Sequence, residues 1–185
     1  MSSPSDTGLV VTTLPSADLG TAGRAELRRF LEAAFTDGFR DDHWSHALGG
    51  LHVLARRDGE LVGHGAVVGR QLLLGDRALR TGYVEAVGVA ASARRQGVAG
   101  AVMAEVERLV TGGSELGALA ASTDGAGLYE SRGWTRWEGP LCAMTPDGIT
   151  AGDASRVFVL PTPDTPVELD PVLRLVCDWR RGSAW

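Results

Sequence analysis

The sequence predicts an α/β domain: a central mixed sheet with helices on both sides. Three observations carry this prediction. An opening strand pattern gives way to two helical patterns, then to three consecutive strand patterns, and then to strand and helix in alternation, an order that calls for a mixed sheet covered on both faces. Hydrophobic residues at 44% and charged residues at 22% match soluble globular composition and disfavour a disordered tail, a fibrous repeat or a disulfide scaffold. The 185 residues show no internal repeat and no marked composition shift, so residues 1–185 are expected to form one domain, within the roughly 100 to 200 residues usual for one.

Leu9 to Leu14 is a β-branched run ended by Pro15, as an opening strand should be. From Thr21 to Phe35 the apolar residues Leu27, Phe30, Leu31 and Ala34 recur at spacings of three and four among Arg and Glu, the signature of an amphipathic helix that Gly38 terminates. Asp41 to Leu48 predicts a second short helix with Asp41 as its N-cap and Gly49-Gly50 as its stop. Leu51 to Arg57 and Leu61 to Leu74 are strand-like and joined by Asp58-Gly59, a strong hairpin signal. After the Gly75-Asp76 turn, Leu79 to Val89 gives another strand, and Val98, Val102, Val106 and Leu109 mark one face of a long helix stopped at Gly112-Gly113. Leu116 to Ala121 reads as a strand and Asp124 to Arg132 as a helix ended by Gly133. Trp134 to Trp137, Leu141 to Met144 and Val157 to Leu160 read as strands, and a Pro-rich connector precedes a last apolar segment, Val172 to Trp179.

Composition also excludes chemistry. All 18 basic residues are Arg, so no lysine is present to serve a P-loop, a pyridoxal Schiff base, a serine nucleophile or a kinase. A formal net charge of -5 argues against a nucleic-acid surface and for a small cationic partner. No apolar run approaches the ~18 residues of a membrane span, and the polar stretch Met1 to Gly8 lacks a signal-peptide core, so a cytoplasmic location without membrane contact is expected. Cys142 and Cys177 lack metal-ligand spacing and read as inert thiols. His43 and His46, beside Asp41 and Asp42, have no evident third ligand, and no metal site is expected.

The segment richest in chemistry is Gly82-Tyr83-Val84-Glu85-Ala86-Val87-Gly88-Val89, followed by Arg94-Arg95-Gln96-Gly97-Val98-Ala99-Gly100 and the long helix. A strand feeds a glycine-containing loop that opens onto a helix N-terminus, where unpaired N–H groups and the helix dipole favour an anion. Gly97 allows close approach of backbone, Ala99 avoids crowding, and Arg94 or Arg95 can add a forked donor. An ordinary strand-to-helix turn with solvated arginines would show the same loop.

The RxxGxA pattern at Arg94, Gly97 and Ala99, after GYVEAVGV, resembles the pyrophosphate-binding motif of the GNAT acetyl-coenzyme A-dependent N-acetyltransferases. Phe39 to Gly50, Leu116 to Leu119, Leu128 to Trp134, Val157 to Pro161 and Cys177 to Trp185 resemble one branch of them, the aminoglycoside 2'-N-acetyltransferases of actinobacteria. The resemblance implies the GNAT acyltransferase fold, acetyl-coenzyme A as co-substrate without a metal, a cationic aminoglycoside as acceptor, direct transfer in a ternary complex, and a homodimer. It implies that Glu85 is the general base, acting through water, and that Tyr129 protonates the departing thiolate. The Val87 N–H would polarise the thioester carbonyl while Val87 and Val89 pair with the pantetheine arm as with a strand, and Arg94, Arg95, Gln96, Gly97, Val98, Ala99 and Gly100 would hold the diphosphate.

The bland readings are a solvent-facing Glu85 and a core Tyr129; the motif context weighs against the first, and the second is compatible with a catalytic role. For the acceptor the resemblance points to Asp37, Glu85, Ser122, Asp153 and Trp185. The chain departs from the family at Gly38 and Ser183, where acidic residues are expected, and at Ala120, where a serine is expected. Two other functions fit the same residues: acetylation of a different amine, such as a cell-wall amino sugar, a mycothiol-pathway metabolite or a polyamine, and non-catalytic acyl-coenzyme A sensing. Neither GxGxxG nor GxxxxGK[ST] occurs to support a nucleotide-binding protein.

Overall fold

The computed structural model describes residues 8–152 and 156–185. Its strands are β1 (Leu9–Pro15), β2 (Leu51–Arg57), β3 (Glu60–Leu74), β4 (Arg77–Val89), β5 (Leu116–Ala121), β6 (Thr135–Arg136), β7 (Leu141–Thr145), β8 (Gly148–Ala151), β9 (Arg156–Pro161) and β10 (Leu175–Cys177). The helices are α1 (Gly20–Ala34), α2 (Asp41–Ala47), α3 (Val98–Gly113) and α4 (Ala126–Glu130). The strands form one mixed sheet in the order β6-β9-β5-β4-β3-β10-β7-β8, with β2 also paired to β3 and β1 to β2. The described residues divide into two compact units, residues 8–66 with 86–106, and residues 67–85 with 107–152 and 156–185.

In the first unit β1 and β2 run antiparallel from Leu9 opposite Arg57 to Pro15 opposite Leu51. Asp58 and Gly59 both take positive φ, 50° and 84°, as a two-residue hairpin turn between β2 and β3 requires. Helix α1 buries Leu27 and Leu31 against Leu19, Leu54 and Leu61, which is the stripe its periodicity predicts. The start of α3 lies tight on β3, because a Cβ on Gly63 would stand 2.6 Å from Val98 Cγ1 and one on Gly65 would stand 3.0 Å from Val102 Cγ1. Glycine at these two positions therefore sets how closely the helix seats.

In the second unit β4 and β5 are parallel from Thr81 opposite Leu116 to Val84 opposite Leu119, and β5 runs antiparallel to β9. Strand β10 pairs antiparallel with Leu72–Leu74 of β3 and parallel with β7. Leu72, Leu79, Tyr83, Leu116, Val157, Leu175, Cys177 and Trp185 share one core.

Several boundaries differ from the sequence reading. Arg40, in an extended conformation, is the N-cap of α2, and Asp41 is its first helical residue. Helix α4 covers only five residues of the expected Asp124–Arg132, since Gly125 and Gly127 weaken its start and Ser131 to Gly133 close into a turn, with the Trp134 N–H donating to Tyr129 O at 3.1 Å. The last apolar segment, Val172 to Trp179, to which the sequence reading gave no element, holds the short strand Leu175–Cys177 after a turn that contains Pro171, in which the Leu173 N–H donates to Asp170 O. Strand β8 was not anticipated; Pro146-Asp147 turns the chain, and it pairs antiparallel with β7.

Candidate active site

The first unit carries the anion loop. Beyond β4, Arg95 and Gly97 take φ of 61° and 81°, and Gly97 O accepts from the Ala101 N–H at 3.0 Å, which makes Gly97 the cap residue of α3. Val98, Ala99 and Gly100 thus begin a 16-residue helix, where backbone N–H groups lack intrahelical partners. A side chain at Gly97 would meet no atom, so its positive φ rather than crowding calls for glycine.

The loop's side chains have these partners within the chain. Arg94 Nη2 donates to Ala34 O at 3.0 Å, at the end of α1. Gln96 Nε2 donates to Ser92 O at 2.8 Å while its Oε1 accepts from Arg57 Nη1 at 2.6 Å. Arg94 and Gln96 therefore brace the loop, and Arg95 is exposed. Main-chain N–H groups at a helix start, with one adjacent guanidinium, fit a diphosphate. Val87 and Val89 lie half-buried at the end of β4, one and three residues beyond Ala86, whose φ of 51° breaks the regularity of the strand. Asp37 is exposed in the turn after α1.

The second unit carries the proton-handling candidates. The Glu85 side chain is 15% exposed, and Oε1 accepts from Arg180 Nη1. The Arg180 Nε donates to Ser183 O at 3.0 Å, and Ser183 Oγ donates to Trp185 O at 2.9 Å. The guanidinium carbons of Arg70 and Arg180 lie 4.6 Å and 5.3 Å from the centroid of the Tyr83 ring. Arg70 Nε is also bonded to Asp178 Oδ1 at 2.6 Å. Burial raises the Tyr83 phenol above its ordinary range. Its OH, Arg70 Nη1 and Trp185 Nε1 are buried with no hydrogen-bond partner among the described residues.

Tyr129 is buried edge-on to Trp134, ring centroids 6.2 Å apart, and desolvation pushes its pKa up to about 12. That environment keeps the hydroxyl protonated at neutral pH. Ser122 Oγ accepts from the Gly125 N–H at 3.2 Å and shapes the turn before α4. Trp185 is buried in the core beside Gly152, where a Cβ would stand 2.7 Å from Nε1. Asp153 lies outside the described residues. Among the described residues no cluster of His, Cys, Asp or Glu could hold a metal, and Cys142 and Cys177 are free thiols.

Sequence reasoning missed Arg180, whose contact with Glu85 spans 95 positions, and the buried pair His52 and His64. The signal for the pair was present: two histidines within otherwise apolar strand runs.

A strand broken beside a half-buried carboxylate, followed by an anion loop at a helix start, defines an acyl-coenzyme A-dependent N-acyltransferase scaffold. The chain belongs to the GNAT acetyltransferases: a family model described as "Acetyltransferase (GNAT) domain" matches residues 22–137. It is 45% identical over 173 residues to the aminoglycoside 2'-N-acetyltransferase of Mycolicibacterium fortuitum, a match covering 92% of this chain and 89% of that one. Among solved structures, the GNAT family N-acetyltransferase YhbS of Escherichia coli, in complex with CoA, superposes with a TM-score of 0.66 at 17% identity, covering 100% of this chain and 99% of the other. The putative acetyltransferase of Pyrococcus horikoshii matches with a TM-score of 0.54 at 17% identity over 74% of this chain; it is longer, and the chain spans 46% of it. Acetyl-coenzyme A is the donor that GNAT acetyltransferases use.

Proposed function

We propose that the protein transfers the acetyl group of acetyl-coenzyme A to the 2'-amino group of aminoglycosides, by direct transfer in a ternary complex within one domain. The observation that carries this reading is the identity of 45% to an aminoglycoside 2'-N-acetyltransferase over nearly the whole of both chains. The net charge of -5 suits a polycationic acceptor.

In this reading Glu85 takes the proton of the attacking amine through a water, the Val87 N–H stabilises charge on the thioester oxygen, and Tyr129 gives its proton to the departing thiolate. The half-buried position of the Glu85 carboxylate on β4 is what supports the first role; Arg180 meets it in the present fold, and the incoming amine would have to displace that guanidinium. Tyr129 carries its proton at neutral pH and so is available for the last. Val87 and Val89 would pair with the pantetheine arm, and Arg95 with the main chain of Gly97, Val98, Ala99 and Gly100 would hold the diphosphate, on a loop braced by Arg94 and Gln96. Asp37, Ser122, Asp153 and Trp185 remain the candidates for contact with the sugar. Cytoplasmic residence and a homodimer belong to the same reading, and light scattering of the purified protein tests the second.

The deciding experiment follows release of free coenzyme A against a panel of amines. Turnover with gentamicin and tobramycin but not with amikacin, which lacks a 2'-amine, is the expected result. Turnover only on polyamines or cell-wall amino sugars would replace the acceptor, and tight acetyl-coenzyme A binding without any turnover would make the protein a sensor.

A further inference from the structure

The Ala86 carbonyl is held by a file of buried polar side chains. His64 Nδ1 lies 2.8 Å from Ala86 O, His52 Nδ1 lies 3.0 Å from His64 Nε2, and Ser16 Oγ lies 2.7 Å from His52 Nε2. The Gly49 N–H donates to Ser16 Oγ at 2.9 Å. Both imidazoles are fully buried, and burial favours their neutral form.

The protons in this file can run in only one direction. A carbonyl only accepts, so His64 carries its proton on Nδ1 and leaves Nε2 as an acceptor. His52 must then donate from Nδ1, which leaves its Nε2 to accept from the Ser16 hydroxyl at 2.7 Å, nearer than that hydroxyl's other acceptor, Gly50 O, at 3.2 Å. Each imidazole nitrogen is matched, and the Ala86 carbonyl sets the tautomer of both rings.

What the file grips is a peptide plane. Ala86 C=O and Val87 N–H belong to one planar unit, trans because the described chain has no cis peptide, so the N–H points opposite to the oxygen. Fixing one fixes the other. The plane also needs a restraint, because Ala86 at φ 51° sits in the left-handed region that costs a non-glycine residue about 1 kcal/mol or more.

We propose that His64, oriented in turn by His52 and Ser16, is the positioning residue that aims the Val87 N–H at the thioester oxygen during acetyl transfer. The inference rests on the acyl-transfer reading given above. His64 touches neither substrate; it acts through the Ala86–Val87 peptide. The diphosphate loop is not part of the file, so donor affinity and oxygen polarisation separate.

Three variants test it. His64→Asn keeps an N–H donor near the Nδ1 position, His64→Leu fills similar space without one, and His52→Leu leaves His64 in place but removes the hydrogen bond to its Nε2 that holds the ring in orientation. The first readout is the infrared carbonyl band of carbonyl-13C-labelled acetyl-coenzyme A bound without acceptor, which shifts to lower frequency when its oxygen accepts a hydrogen bond. The others are kcat, the Kd of acetyl-coenzyme A by calorimetry, and circular dichroism to confirm folding.

Wild-type protein should show a lowered band that His64→Leu returns to the free position, with kcat down at least about tenfold and Kd changed less than about threefold. His64→Asn should recover a rate at least about fivefold above that of His64→Leu, and His52→Leu should fall between. A folded His64→Leu protein with an undiminished shift and a wild-type kcat would overturn the proposal, as would His64→Asn behaving like His64→Leu. If His64→Leu does not fold, a wild-type band and rate in His52→Leu overturns it instead. Failure of the wild-type protein to bind acetyl-coenzyme A would reject the acyl-transfer reading itself, and that result is distinct from every variant outcome.

Discussion

Arg180 donates to the carboxylate of Glu85 across 95 positions of sequence, and both side chains are only 15% exposed. A carboxylate so placed is neither a solvated surface group nor an isolated buried charge. If it is the general base, Glu85→Gln keeps the shape and removes the acceptor of the amine proton. Turnover should fall by about a hundredfold to ten-thousandfold, with binding of acetyl-coenzyme A unchanged. Steady-state rates beside calorimetric titration check this, and a rate near wild type would remove Glu85 from its role.

Tyr129 should keep its proton through the whole accessible range, because burial pushes its pKa up to about 12. A general acid must be protonated, so no loss of kcat attributable to this residue is expected up to pH 10. Tyr129→Phe should lower kcat about tenfold or more at every pH while donor binding stays intact. A rate profile of the two proteins from pH 6 to 10 decides it.

Gly63→Ala should loosen the seat of α3. The new methyl group would stand 2.6 Å from Val98 Cγ1 and 3.2 Å from Ala55 Cβ, so either the helix start or the strand must move. Overpacking of this kind costs about 1–3 kcal/mol, and here it displaces the first helical residue after the anion loop. Urea unfolding should show the loss of stability, and calorimetry should show weaker coenzyme A binding. Full affinity in the destabilised protein would separate helix seating from anion binding.

The buried histidines predict a specific acid sensitivity. Desolvation lowers His52 to about 4, with nearby Arg24 adding to the effect, and lowers His64 to about 3, against an ordinary value of 6.5. The unfolded chain therefore binds more protons than the folded one between these values. Their contribution to stability is complete above about pH 6.5 and is lost as pH falls toward 4 and then 3. The pair adds a slope of at most about 2.7 kcal/mol per pH unit, two protons at about 1.36 each. The paired carboxylates Glu26 and Asp42, held low chiefly by Arg56 and Arg40, act only at lower pH. Urea midpoints from pH 7 to 5 should drop steeply for wild type and less steeply for a His52→Asn/His64→Asn protein; parallel curves would refute the assignment.

What the sequence made legible follows from the range of the forces involved. The β2–β3 turn, the stripe of α1 and the loop into α3 are local, written in Asp58-Gly59, in Leu27 and Leu31, and in Gly97, and the structure matches each. The length of α4 and of β10 depended on weak glycine-rich and proline-flanked segments, where tertiary pairing sets the ends. In the site, Glu85 and Tyr129 could be picked out by resemblance, but their environments could not. Which cation meets Glu85, and what steadies Ala86, depend on residues 95 and 22 positions away, and no short window holds either pair.

Trp179 lies between Asp178, tied to Arg70, and Arg180, tied to Glu85, yet it is 56% exposed while Trp134, Trp137 and Trp185 are buried. The protein thus carries a native fluorophore next in sequence to the arginine that meets its candidate base. Collisional quenching by iodide or acrylamide should report any release of that segment by an amine, with no label and no change to the sequence.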